Sequence, residues 1–234
     1  MASTALAQTP AHATSTPRAA QTPSALLDSA LAAMLAQPSV HIACTISSSA
    51  GGSTESEDIG TTSGRIVDTS GAASISNLLV GGVDYFSTNT AGVLANNGIS
   101  EAESQKLTGE WISMRPGDSY GSGYLSYAEG IHGMTLTSQA DAVRLPAPLE
   151  RTGSMMVHGV AVYGVSGGAT SYFAITKSAT ETVYIAASGT PLPVRVSANS
   201  GNGLETTCNF TNWDEPVGVT APSHPVPLKS IPSA

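Results

Sequence analysis

The sequence predicts an α+β protein in which one highly twisted antiparallel β-sheet, of about 10–11 strands, carries helices on one face. Three observations predict it. In residues 39–47, Val40, Ile42, Cys44 and Ile46 alternate with Ser39, His41, Thr45 and Ser47, the period-two signature of a strand with one buried face. From residue 151, short β-favouring runs are cut by glycine or small polar residues, the pattern of an antiparallel meander. Helical spacing is confined to one segment near the start and to the middle of the chain.

The elements follow in order. Residues 1–22, rich in Ala, Thr and Pro, read as a disordered tether. A helix is predicted over 23–36: Thr22 can cap it, Pro23 suits its first position, and Leu27, Leu31, Met34 and Leu35 form an apolar stripe before Pro38 stops it. After the strand at 39–47, a Gly/Ser turn at 49–53 leads to a polar strand around 54–67. A hairpin then joins 72–80 to 82–88 around Gly81-Gly82. Ser100 and Glu103 form a capping box for a helix to Leu107, which Gly109 is placed to end. Two more short helices are predicted at 122–130 and 137–144. The later strands are predicted at 152–158, 160–166, 169–177, 181–187, 192–199 and 203–210. From residue 215 the chain carries Pro216, Pro222, Pro225, Pro227 and Pro232 and is expected to be extended and only partly ordered. The organisation is one domain over 23–222 with a Pro-rich tail at 223–234.

Composition narrows the function. Charged residues are 11% of the 234, under half the usual share of about 25%, and Ser, Thr, Gly and Ala replace them, as is common in exported proteins. With nine Lys and Arg and a net charge of -8, a nucleic-acid surface is disfavoured, as is a polybasic membrane patch. No stretch approaches the roughly 18 apolar residues of a membrane-spanning helix. An extracellular or cell-envelope location is expected, with membrane association only through a tether absent from this chain.

Cys44 lies on the apolar side of its strand, and Cys208 shares a side with Leu204 and Phe210. Both thiols therefore point inward. They can be buried free cysteines behaving as small hydrophobes, or a disulfide if the compartment is oxidising.

Catalytic patterns are sparse. Gly164-Val165-Ser166-Gly167-Gly168 matches GxSxG, but a nucleophile elbow needs a strand-to-helix turn; here the segment joins two predicted strands and reads as a glycine-rich hairpin tip. Ser166 with His158 is the least weak catalytic pair. His12, His41, His132, His158 and His224 make no metal-binding spacing, so no metal or cofactor is expected. Glu55, Glu57 and Asp58 lack the spacing of a calcium loop and read as a solvated strand face. Trp111 and Trp213 can each line a cavity or simply pack in a core.

The order of several segments resembles a known group. Val83-Asp84-Tyr85-Phe86, then Leu107-Thr108-Gly109-Glu110-Trp111-Ile112, then Thr182-Val183-Tyr184-Ile185-Ala186, then Gly189-Thr190-Pro191-Leu192-Pro193-Val194-Arg195, and finally Phe210-Thr211-Asn212-Trp213-Asp214-Glu215-Pro216-Val217 are similar to LolA-like half-barrel lipoproteins of the actinobacterial cell envelope (the LppX/LprG group). The resemblance implies a half-open barrel whose helices cover the concave face. It also implies a non-catalytic protein holding a lipid or acyl chain in an apolar cavity between sheet and helices, for lipid or lipoprotein transport. The residues expected to line that cavity are Leu78, Val80, Tyr85, Trp111, Leu125, Ile131, Met134 and Leu136. The alternative is a sensor or scaffold module of the same fold that binds an envelope protein partner.

Overall fold

The computed structural model describes residues 17–49, 51–121, 125–168, 179–201 and 203–232. A short 3-10 turn at Arg18–Ala20 precedes helix α1 (Pro23–Leu35), and the Thr22 hydroxyl oxygen accepts from the Ala25 amide. The helix buries Leu26, Leu27, Ala30, Leu31 and Met34, while Leu35 turns outward at 47% exposure. The buried face is thus centred on Leu27, Leu31 and Met34, with Leu26 and Ala30 beside them and Leu35 outside it. Residues 17–22, expected as part of a loose tether, are held instead: the Arg151 guanidinium donates to the carbonyls of Arg18, Ala19 and Gln21.

Strands β1 (Ser39–Ser48), β2 (Gly51–Gly60), β3 (Gly64–Ser70), β4 (Ala73–Val80) and β5 (Val83–Thr88) form a continuous antiparallel run. The single polar strand predicted around 54–67 is two strands, because the chain reverses between Gly60 and Gly64 where the Gly60 amide bonds the Ser63 carbonyl. Helices α2 (Ala91–Asn96) and α3 (Glu101–Leu107) follow; α2 carries no strong sequence signal and was not foreseen. The Ser100 hydroxyl caps α3 by accepting from the Glu103 amide. Then come β6 (Ile112–Met114), a small hairpin of β7 (Ser119–Tyr120) and β8 (Leu125–Ser126), α4 (Tyr127–Gly130) and α5 (Leu136–Val143). The predicted helix 122–130 is helical only from Tyr127; Leu125 and Ser126 are extended, and 122–124 lie outside the described residues.

The second half contains β9 (Glu150–Val157), β10 (Val160–Gly168), β11 (Thr180–Ala186), β12 (Pro193–Asn199) and β13 (Glu205–Thr211), then β14 (Val226–Pro227). The strand predicted at 169–177 lies outside the described residues. Gly167 and Gly168 are not a hairpin tip: they belong to β10 and pair with Glu181 and Thr180 of β11.

Among the described residues, twelve strands make one curved sheet in the order β14-β6-β5-β4-β3-β2-β1-β13-β12-β11-β10-β9. Every neighbour pair is antiparallel except β14 with β6. Strands β9 and β14 end the order without pairing to each other, so the barrel stays open. The two halves of the chain join where β1 pairs β13, with Cys44 directly opposite Cys208.

Helices α1 and α5 lie on one face of this sheet over Val40, Ile42, Ile59, Ile66, Val183, Val196 and Phe210. A second core gathers Phe86, Leu94, Leu107, Ile112, Met114 and Leu125 beneath α2 and α3. The Pro-rich tail differs from its expectation at 226–231. Val226 and Pro227 pair with β6, and Leu228 and Ile231 are buried in that second core. Proline dominates the composition there, but two apolar side chains supply the burial that fixes it.

Candidate ligand recess

Strand register shows which way each candidate side chain faces. Cys44 pairs across with Glu55, Glu55 with Asp68, and Asp68 with Ile75, while Ile42 continues through Glu57, Ile66 and Asn77 to Phe86. Opposed residues share a face, so these groups line the helix-bearing side. Leu78, Val80 and Tyr85 have the opposite parity and pair with Arg65, Val83 and Leu78 respectively. They face away from the helices, which takes them out of any space between sheet and helices. A one-residue offset moves a whole set to the other face, and both arms of this hairpin are apolar enough to hide the offset.

The remaining expected cavity residues lie elsewhere. Met134 and Leu136 are fully buried in the first core, and Ile131 packs against it. Leu125 belongs to the second core. Trp111 is half-buried just before β6, and its carbonyl accepts from the Val226 amide. These side chains fill the layer between sheet and helices with the protein's own atoms instead of bordering one common hollow.

The acidic trio also departs from expectation. Glu57 is 0% exposed and Glu55 is buried; only Asp58 faces outward, paired with His41 at 2.8 Å. The Gln139 amide of α5 donates to Glu57 and, at 2.9 Å, to the Gly133 carbonyl. Burial, followed by the charges of Glu55 and Asp68, holds the Glu57 carboxyl well above its ordinary value. Ligand atoms of Cys44, Glu55 and Glu57 lie within 4.8 Å of one another, but Cys44 is bonded to Cys208 and offers no thiolate, so this cluster does not hold a metal as it stands. Ser166 and His158 lie towards opposite ends of β10, about 20 Å of extended chain apart. The Ser166 hydroxyl donates to the Glu181 carbonyl, so no nucleophile–base pair forms.

One apolar recess opens at the end of the sheet, with a volume of about 470 Å³. Its walls are Val160 of β10, Ala186 of β11, Leu192 and Val194 around the start of β12, and Phe210 with Trp213 at the end of β13. The Phe210 and Trp213 rings stack with centroids 6.2 Å apart and planes 13° from parallel. The sequence makes this corner. The His158-Gly159 turn places both residues at positive φ, 47° and 81°, reversing the chain tightly between β9 and β10. After β13, Asn212 at φ 49° turns the backbone so that Trp213 folds back on Phe210.

The polar groups here are few. His158, Thr190 and Thr211 line the recess. The Nε2 of His158 lies 3.1 Å from Asn209 Oδ1 and 3.0 Å from an Arg195 terminal nitrogen, and Arg195 Nε donates to the same Asn209 oxygen at 2.9 Å. Protonated, Nε2 donates to Asn209; bare, it accepts from Arg195. Of the residues that line this recess, only Trp213 is a cavity candidate from the sequence. Leu192 and Val194 lay within a stretch quoted for the family resemblance, with no sign of their role.

The fold and this site define a class: an open half-barrel with an apolar recess and no assembled catalytic group among the described residues. No family model matches the chain, and no curated protein matches it. Solved structures do. Lipoprotein LppX of Mycobacterium tuberculosis is 19% identical, with a TM-score of 0.51, over 85% of this chain and 100% of that one. LprF from Mycobacterium bovis is 15% identical, with a TM-score of 0.52, over 86% and 96%. The chain has the fold of these lipoproteins, as the segments quoted from its sequence implied. Among the described residues, no helix is long and apolar enough to cross a membrane.

Proposed function

We propose that the chain is a non-catalytic binding protein of the cell envelope that carries a lipid or acyl chain. The observation that carries this reading is the recess walled by Val160, Leu192, Val194, Phe210 and Trp213. Its volume of about 470 Å³ lies within the range of about 300–1,000 Å³ of small-molecule sites. Each methylene buried there contributes about 0.8 kcal/mol, so a chain of modest length offsets its ordering cost with few polar contacts. The fold shared with LppX and LprF and the bridge between Cys44 and Cys208 support an exported setting. Native mass spectrometry of protein from a lipid-containing host tests the reading. The expected result is a bound mass that organic extraction releases as lipid. A bare protein that also fails to bind decanol, read by Trp213 fluorescence, overturns it.

A second reading, a module that binds an envelope protein, is favoured by one observation. Among the described residues strand β9 ends the sheet, and Met155 and Met156 near its tip, with Val160 where β10 begins, are 45%, 61% and 41% exposed. Large apolar side chains on an unpaired edge suit an added strand from a partner. A photo-crosslinking residue at Met156, exposed to envelope extract, should capture one defined protein if this reading holds; no adduct above that of a probe at Ser47 counts against it.

A further inference from the structure

We propose that the recess selects an acyl chain ending in an anionic group, a carboxylate or phosphate, which His158 and Arg195 receive at its mouth. This rests on the lipid-binding reading and specifies its ligand. The walls are apolar, so the aliphatic part is held by burial. The polar side chains of the lining are His158 and the uncharged hydroxyls of Thr190 and Thr211; the charge at the mouth comes from the Arg195 guanidinium, 3.0 Å from the imidazole. The chain carries nine Lys and Arg against seventeen Asp and Glu, so a basic pair beside an apolar opening is not the product of a generally basic surface. None of the ion pairs among the described residues involves Arg195. Its hydrogen bonds go to Asn209 and His158, both neutral partners when the imidazole is uncharged. Guanidinium has five N–H donors in a planar fork, and these two contacts leave donors over.

The arrangement also orients the pair. Arg195 and Asn209 are opposed in the β12–β13 register, on the sheet face away from the helices. Asn209 Oδ1 accepts from Arg195 Nε and holds the guanidinium plane towards His158. The left-handed backbone of His158, φ 47°, a conformation that histidine adopts more readily than most residues other than glycine, presents its ring there. A carboxylate entering head-last would bond the one terminal guanidinium nitrogen left unengaged and the imidazole while its chain lies against Val194, Phe210 and Trp213. Charge-assisted bonds to one terminal group supply the selectivity that the walls cannot.

The test uses the full chain carrying Trp111→Phe, so that Trp213 is the single fluorescent reporter of the two tryptophans. Decanoate, decyl phosphate and decanol are titrated in parallel. The expected result is at least tenfold tighter binding of the two anions than of decanol, with the advantage shrinking as salt rises. Arg195→Gln should bring the anions to the level of decanol and leave decanol unchanged. Equal binding of all three in the unsubstituted recess overturns the head-group assignment but keeps the lipid reading; no binding of any overturns both. Vesicles separate the sources. Withdrawal of labelled phosphatidylglycerol, but not phosphatidylcholine, identifies a membrane lipid as ligand, and binding of decanoate without such withdrawal identifies a free fatty acid. Val194→Glu, which puts a charge in the wall, should abolish binding of all three ligands.

Discussion

Cys44 and Cys208 are bonded directly across the β1–β13 ladder, with Cα atoms 4.0 Å apart though the residues stand 164 positions apart in sequence. This single contact ties the N-terminal half of the sheet to the C-terminal half at its centre. Closing so long a loop restricts the unfolded chain, which by the chain-entropy account stabilises the fold by about 3–5 kcal/mol. Cys44→Ser with Cys208→Ser should therefore lower the urea midpoint by an amount matching that range. Thiol titration of denatured, unreduced protein should find no free thiol.

Asp84 sits at 0% exposure on the helix-bearing side of β5, between Leu79 and Met114 in register and against α4. Burial lifts its carboxyl to about 7, with the Tyr85 amide pulling the other way. The unfolded value is near 3.8, so the folded state holds the proton more tightly. Stability is then fully present below about pH 4 and falls as pH rises towards 7, at roughly 1.4 kcal/mol per unit where only the unfolded state has ionised. The raised carboxyl of Glu57 acts in the same direction. Asp84→Asn should flatten much of this slope, measured as urea midpoints between pH 5 and pH 8. An unchanged slope would show that Asp84 ionises without penalty.

Gly64 begins β3 where the chain passes under the residues leading into α5. A Cβ there would stand 2.5 Å from the Met134 carbonyl oxygen and 3.2 Å from its carbon. Both are backbone atoms that cannot swing aside. Gly64→Ala should cost about 1–3 kcal/mol, measured by thermal unfolding. Gly218→Ala, which meets nothing within 4 Å, is the matched control and should change little.

Leu228 anchors the tail in the second core at 2% exposure, next to Ile112, and Lys229 pairs with Asp118 at 2.8 Å. Leu228→Ala should cost about 2–5 kcal/mol. It should also speed hydrogen exchange at the Val226 amide, which bonds the Trp111 carbonyl. Lys229→Ala, removing an ion pair whose lysine is largely exposed, should cost under about 1 kcal/mol.

Local rules read much of the chain. Thr22-Pro23 marked the start of α1, Ser100 the start of α3, and Gly81-Gly82 the β4–β5 turn, because caps and left-handed turns are made by residues close in sequence. The Gly60–Gly64 reversal was missed because the polar residues on either side keep alternating through it. Glu57 reads as solvated in any local window. What buries it is Gln139, 82 residues away.

By itself the sequence determined the α+β class, the antiparallel order of neighbouring strands, and the inward direction of both cysteines, since each follows from periodicity within about ten residues. Only the tertiary structure decided that the cysteines face one another, that Leu78, Val80 and Tyr85 turn from the helices while Met134 and Leu136 fill the core, and that an apolar recess opens beside Phe210 and Trp213. Those outcomes depend on register and on which distant elements meet, and a side chain's neighbours across a sheet are set by pairings that no local pattern encodes.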